Sequence, residues 1–373
     1  MFHFRFVALI AVVASTVLAQ ESLVLVGSYT KGKSKGINAY KFNSSTGVLT
    51  ELGLAAETVN PSYLVIHPNR RWVFATNEVD QYQGQKSGSI TAFSLDERSG
   101  KLTALNTVSS RGAAPCHLSI DKTGKFLLVA NYTGGSTAVL PIHADGKLGE
   151  ASSVMQHKGA SAGPRQKEPH AHSINVAKNN KYAVAADLGT DQLLTYKLDA
   201  KKGELKPSSD LRLQAGQGPR HFAFHPNNKF AYSVNELGST VTAMTWNASA
   251  GLLKDIQTLS TLPDGYTGES YCAEIVVHPN GQHLYASNRG HQSLAVFDVN
   301  AATGQLTAKG QVKTGGEWPR NFNIDPAGKY IIAANERSDS LVVLKIGAGG
   351  GLTPTGETKQ MGNPVCVKFL PLR

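Results

Sequence analysis

Cysteine is scarce: Cys116, Cys272 and Cys366 are the only three in 373 residues. Thiols so few and so widely spaced exclude a disulfide-stapled fold. They leave room for one bridge, with three buried free thiols the simpler expectation. Basic runs are missing too. Lys and Arg outnumber Asp and Glu by 37 to 27, yet never stand five in succession. A net charge of +10 scattered in this way suits an anionic small ligand or surface, and no nucleic-acid partner is expected. Beyond the N-terminus no apolar stretch approaches the ~18 residues needed to span a bilayer, and no long helical periodicity is present. Hydrophobic residues at 41% are enough for a full core, and 37 glycines with 16 prolines punctuate the chain with turns.

The exception is the opening stretch "MFHFRFVALIAVVASTVLAQ", with Arg5 ahead of an apolar run from Phe6 to Ala14 and small residues near its end. This pattern predicts a signal peptide over 1–19, cleaved after Ala19, and a mature soluble chain that is periplasmic or secreted. Its removal takes away Arg5, so Lys plus Arg falls from 37 to 36 and the net charge from +10 to +9. In an exported chain, "NSS" at Asn43, "NYT" at Asn131 and "NAS" at Asn247 have the form of glycosylation acceptors.

The main organisation is a repeat. "GPRHFAFHPNNKFAYSVNE" from Gly218 recurs as "PSYLVIHPNRRWVFATNE" from Pro61, "PCHLSIDKTGKFLLVANY" from Pro115 and "AHSINVAKNNKYAVAADL" from Ala171. Two further copies are "CAEIVVHPNGQHLYASNR" from Cys272 and "PRNFNIDPAGKYIIAANE" from Pro319. Alignment stacks Asn77, Asn131, Asp187, Asn235, Asn288 and Asn335 in one column, spaced by about 50 residues. A Gly-x-Leu follows seven times, led by Gly47, Gly100, Gly146, Gly203, Gly251, Gly304 and Gly350. Each copy holds four short strands of period-2 alternation, the pattern of a propeller blade, so residues 20–373 are expected to form one all-β, seven-bladed β-propeller. "LVLVGSYT" near the N-terminus lacks a first strand and "NPVCVKFLP" from Asn363 supplies one, which predicts ring closure by pairing the two chain ends. "KGASAGPRQKEP", 158–169, reads as a loop inserted in this array.

In a blade the first strand begins, and the second ends, on the same face. One column at that rim holds Ser62, Cys116, His172, Arg220, Ala273 and Arg320. The other holds Tyr29, Glu78, Tyr132, Leu188, Glu236, Arg289 and Glu336. His172, Arg220, Glu236 and Arg289 are therefore expected to converge at the channel mouth. Asn and Asp in the intervening column commonly satisfy local turns. Asn131 and Asn235 are nevertheless kept as candidate substrate contacts, together with Arg320 and Glu336. His170 and His172, in "HAH", lack a third ligand pattern, and no metal or other cofactor is expected. His221 is expected to pack or support a turn.

At "PHAHS", "GPRHFAFHP", "NELGS" and "SNRG" the chain resembles the lactonase family of seven-bladed propellers, which includes 6-phosphogluconolactonases and carboxy-muconate cyclases. The resemblance runs from "LVLVGSYT" to "PVCVKFLP" and implies a lactonase, a carboxylic-ester hydrolase acting on a small, anionic lactone. By the family's motifs His172, Arg220, Glu236 and Arg289 are catalytic, with His172 as base, Glu236 as acid or orienter, and the arginines as oxyanion and anion binders. A muconate-cyclase activity and a non-enzymatic binding propeller are the alternatives. An exported protein would not meet a phosphorylated sugar lactone made in the cytosol, so another sugar lactone or a carboxylated one is the expected substrate. The protein is expected to act as a monomer with no membrane partner.

Overall fold

Period-2 alternation leaves each repeat with one way to bury its apolar residues, as a small twisted sheet packed face to face on its neighbours. The computed structural model describes residues 20–372, so the leader expected at 1–19 lies outside the described residues. It contains seven four-stranded antiparallel sheets. Blades 1 to 6 run over Leu64–Ser109, Pro115–Gln156, Ala171–Arg212, Pro219–Ser260, Tyr271–Lys313 and Pro319–Gln360. Blade 7 takes its first strand, Pro364–Pro371, from the C-terminal end of the chain and the other three from Glu21–Ser28, Gly36–Asn43 and Leu49–Glu57. Residues Ser22 to Ser28 pair antiparallel with Pro371 to Pro364, which closes the ring as expected. The seven first strands contact one another in order around a central channel.

The core lies between blades rather than within them. Tyr232 and Val234 of blade 4 pack with Leu284 and Phe297 of blade 5, all essentially inaccessible. Each such large side chain contributes about 1.5–3 kcal/mol of burial, and the pattern recurs at every interface. The Gly-x-Leu turns lock the ring. Gly251, at φ +69°, lies against the Tyr182 ring of the preceding blade, and the backbone conformation and the close contact both exclude a side chain. Gly47 on Tyr330, Gly146 on Trp72, Gly203 on Phe126 and Gly304 on Phe230 repeat this contact.

On the face opposite the rim, the turn histidines bridge blades: His67 Nε2 to Gly124 O at 2.8 Å, His225 Nε2 to Gly281 O at 2.8 Å and His278 Nε2 to Gly328 O at 2.9 Å. These rings are structural. Cys116, Cys272 and Cys366 are free and buried. Asn131 is fully buried, which removes it as a glycosylation acceptor, whereas Asn247 is exposed.

Candidate functional site

Five of the six rim residues in the Arg220 column, all but Ser62, sit at an irregularity in the ladder. Pro219 pairs with Asn235 and His221 with Val234, leaving Arg220 as an extra residue between them. The same shift falls between Pro115 and His117, Ala171 and Ser173, Cys272 and Ile275, and Pro319 and Asn321. A bulge bends the strand and re-aims a side chain, so the fold repeats one device that turns this position toward the channel mouth.

Glu236 is the centre of what the bulges bring together. Its carboxylate is 2% exposed and lies 2.7 Å from Arg289 Nη2, 3.0 Å from Arg220 Nε and 2.7 Å from Arg165 Nη1. The Arg220 contact lies off the hydrogen-bonding direction and is ionic rather than directed. Burial by itself would raise the Glu236 pKa, but Arg289, Arg220 and Arg165 outweigh it and hold the group down at about 2. Arg220, buried against Glu236, donates from Nη1 to the carbonyl of Ala273. Burial and the neighbouring Arg289 and Arg320 pull its pKa down to about 10. Arg289 donates to the carbonyl of Cys272 at 2.9 Å and lies over the Trp318 ring, which Arg337 also covers.

His172 stands on the same rim, 5% exposed. Its Nδ1 is 3.6 Å from Cys116 Sγ, and its ring meets Tyr132 and His221 edge to face. Burial first, then Arg220, His221 and Arg320, keep the imidazole neutral well below the usual histidine range. Burial likewise pushes the Cys116 thiol up, so it remains a thiol and supports the ring rather than competing as a nucleophile. His170 is stacked on Tyr132 and bonded to its carbonyl at 3.1 Å. Among the described residues no group of His, Cys, Asp or Glu side chains is arranged to hold a metal ion.

Arg320 Nη2 donates to Tyr29 Oη at 2.7 Å, and Tyr29 Oη donates to the Glu78 carboxylate at 3.0 Å. Glu336 is half-buried, and its Oε2 has no hydrogen-bond partner. Of these groups Tyr29, Glu78 and Glu336, with Asp80 and Tyr132, line a cavity of about 350 Å³ that has Lys31 as its cation, and Arg320 reaches it through Tyr29. Asn131 and Asn235 lie elsewhere. The Asn131 amide donates to Ser110 O and Ser136 Oγ, and that of Asn235 to Thr240 and Thr242, so both serve the strand ends.

The arginine that sequence reasoning missed is Arg165. It lies in the inserted loop, outside any repeat column, and its Nη2 also donates to Tyr132 Oη at 3.0 Å. Trp318 was missed as well, since nothing sets it apart from the turn around it, and Tyr29 stood in the rim column without being named as a candidate. An unrepeated loop set in a regular array was the one available signal for Arg165.

Comparison with known proteins agrees with the seven-bladed fold. The sequence model of the seven-bladed β-propeller lactonases matches residues 23–369. A 6-phosphogluconolactonase of Bacillus subtilis is 40% identical over 92% of this chain and 97% of its own length. The solved structure of a periplasmic gluconolactonase of Pseudomonas aeruginosa superposes with a TM-score of 0.89 at 32% identity, covering 95% of this chain and all of that one. One of a putative 6-phosphogluconolactonase from Bacteroides fragilis gives 0.87 at 37% identity over 94% of this chain and 98% of that one.

Proposed function

Because the chain belongs to the seven-bladed β-propeller lactonase family, we propose that it is a lactonase that hydrolyses a sugar lactone at the rim built around Glu236. The observation that carries this reading is one buried carboxylate gathering Arg165, Arg220 and Arg289 next to a neutral His172.

Water attacking a lactone carbonyl must lose a proton while the carbonyl oxygen gains negative charge. His172, neutral and with Nδ1 toward Cys116, receives the water proton at Nε2. Guanidinium groups of Arg289 and Arg320 face the developing oxyanion. Collapse of the tetrahedral species breaks the ring C–O bond, and His172 returns its proton to the departing alkoxide, leaving a hydroxy-acid that loses its carboxyl proton to solvent as the hydroxy-carboxylate. Glu236 does not serve as the acid: three guanidinium neighbours hold it ionised, so its work is to position them.

The anionic substrate expected from the arginines does not suit the space beside them. Arg165, Arg220 and Arg289 already share Glu236, and the adjoining cavity sets Glu78, Asp80 and Glu336 against Lys31. Carboxylates accept hydrogen bonds from hydroxyls and repel phosphate, so the substrate is an unphosphorylated sugar lactone with its hydroxyls in this cavity. A periplasmic or secreted location fits that choice and rests on the leader-like N-terminus together with the periplasmic relative. The test is initial rates of base uptake with glucono-δ-lactone and with its 6-phosphate. A higher kcat/KM for the unphosphorylated lactone is expected, and a preference for the phosphate would reject the cavity assignment.

A further inference from the structure

The channel is not uniform along its axis. Below the rim, toward the face of the His67 and His225 turns, lies a second cavity of about 460 Å³ lined by residues from all seven first strands. Pro68 and Lys122, which belong to turns on that far face, border it. None of Arg220, Glu236, Arg289 or Arg320 lines it. The side chains that do are unlike a structural plug.

Lys368 Nζ stands 4.1 Å from the centroid of the Tyr63 ring and forms no ion pair among the described residues. The nearby carboxylate, Glu274, is committed elsewhere. It takes His221 Nδ1 at 2.9 Å and Ile275 N at 3.0 Å on one oxygen and the amide of Asn321 on the other. Its neighbour His221 and Lys368 help to hold Glu274 ionised, so His221 Nδ1 is the protonated nitrogen and Nε2 carries the lone pair. His221 is 4% exposed, and its Nε2 has no hydrogen-bond partner. Asn175 belongs to the same wall, and its buried Nδ2 has no hydrogen-bond partner. Buried polar groups are rarely left unmade in this way without a function or bound solvent. The rest of the wall is mixed, with Val65, Ile66, Phe222 and Phe224 beside the polar His117, Ser119, Lys122 and Asn323.

Lys368 and Asn175 supply a cation and an amide donor, whereas His221 Nε2 supplies an acceptor. We propose that the far half of the channel is a second binding site, separate from the rim, for a small hydroxy-carboxylate. Its carboxylate lies against Lys368 Nζ and Asn175 Nδ2, and a hydroxyl donates to His221 Nε2. A free carboxylic ester or simple polyol lacks the first contact, and a simple fatty acid lacks the second. Hydroxy-carboxylates are the class that lactone opening releases. That correspondence rests on the rim being a lactonase, but the binding site does not. The His221 ring also meets that of His172, at a centroid separation of 5.4 Å, so the two sites share a wall.

Calorimetric titration of the full chain with sodium gluconate tests this, with methyl glucoside as the ligand lacking a carboxylate and propionate as the one lacking hydroxyls. Gluconate is expected to bind more tightly than either control. Lys368→Met keeps the stem on Tyr63 and should weaken gluconate at least about tenfold, the loss of one charge-assisted contact, while Arg289→Ala at the rim retains that binding. Asn175→Asp, nearly isosteric and of opposite charge preference, should give the same loss and serves where melting shows Lys368→Met to be unfolded. Gluconate binding unchanged by the cavity variants, binding abolished by Arg289→Ala alone, or no binding up to about 10 mM would overturn the proposal. Because the readout is binding, a failure of lactone hydrolysis leaves it intact, and the two failures can be told apart.

Discussion

Arg165 Nη1 lies 2.7 Å from Glu236 Oε1, which ties a loop outside the repeat to the end of a blade's second strand. The Arg165 side chain remains 42% exposed and that of Glu236 only 3%. The same carboxylate therefore faces both a solvent-reaching guanidinium and two buried ones, and the consequences of removing each partner differ.

Replacing Glu236 by Gln leaves Arg220 and Arg289 buried without their shared counter-charge. Breaking a buried pair from one side costs about 3–5 kcal/mol. Urea denaturation of Glu236→Gln should show a loss in that range, with lactone hydrolysis falling sharply in the folded fraction.

Arg165→Ala should separate activity from stability. Its exposed side chain contributes within about 0.5 kcal/mol to folding, whereas loss of a rim guanidinium from the site should lower kcat/KM by about tenfold. Parallel melting and rate measurements check this. A large drop in stability would mean that the loop is a structural strut.

Acid should act through the channel histidines. Burial above all, with Arg220 among the opposing charges, holds His221 down at about 4 against its usual 6.5, although Glu274 pulls the other way. Between those values the unfolded chain binds the proton and the folded chain does not, so stability falls as pH falls through that window and changes no further from this group below it. His172 is lowered in the same direction. A pH–rate profile should therefore keep the base competent below pH 6.5, with its acid limb displaced downward from the ordinary histidine value.

Asn235→Ala should cost stability rather than affinity. Its amide serves Thr240 and Thr242 inside the blade, so its loss removes about 1–3 kcal/mol of buried hydrogen bonding. KM for the lactone should be unchanged, and a rise in KM with normal stability would restore Asn235 to the substrate site.

The repeat was legible because every blade solves the same packing problem with the same residues. The Gly-x-Leu turns reveal themselves because a ring from the preceding blade, Tyr182 against Gly251 for example, leaves no space for a side chain. Ring closure was legible because "NPVCVKFLP" and "LVLVGSYT" each lack what the other has. The bulge at Arg220 was not, since a one-residue slip in pairing leaves the period-2 pattern intact. The partner count at Glu236 was also hidden: register placed Arg220 and Arg289 near it, but Arg165 arrives from a loop whose path no periodicity encodes. Glu78 and Glu336, beside Tyr29, belong to the same column as Glu236, but Asp80 does not, and their joint effect on ligand charge emerged only when the cavity joined them.

The most direct measurement is the initial rate of glucono-δ-lactone opening, corrected for spontaneous hydrolysis, in the wild-type chain and in His172→Gln. Wild type should exceed the spontaneous rate, and His172→Gln, folded by its melting curve, should lose at least about 100-fold in kcat, the contribution of a positioned base. A His172→Gln rate equal to wild type would contradict the assignment of the rim as the hydrolytic site.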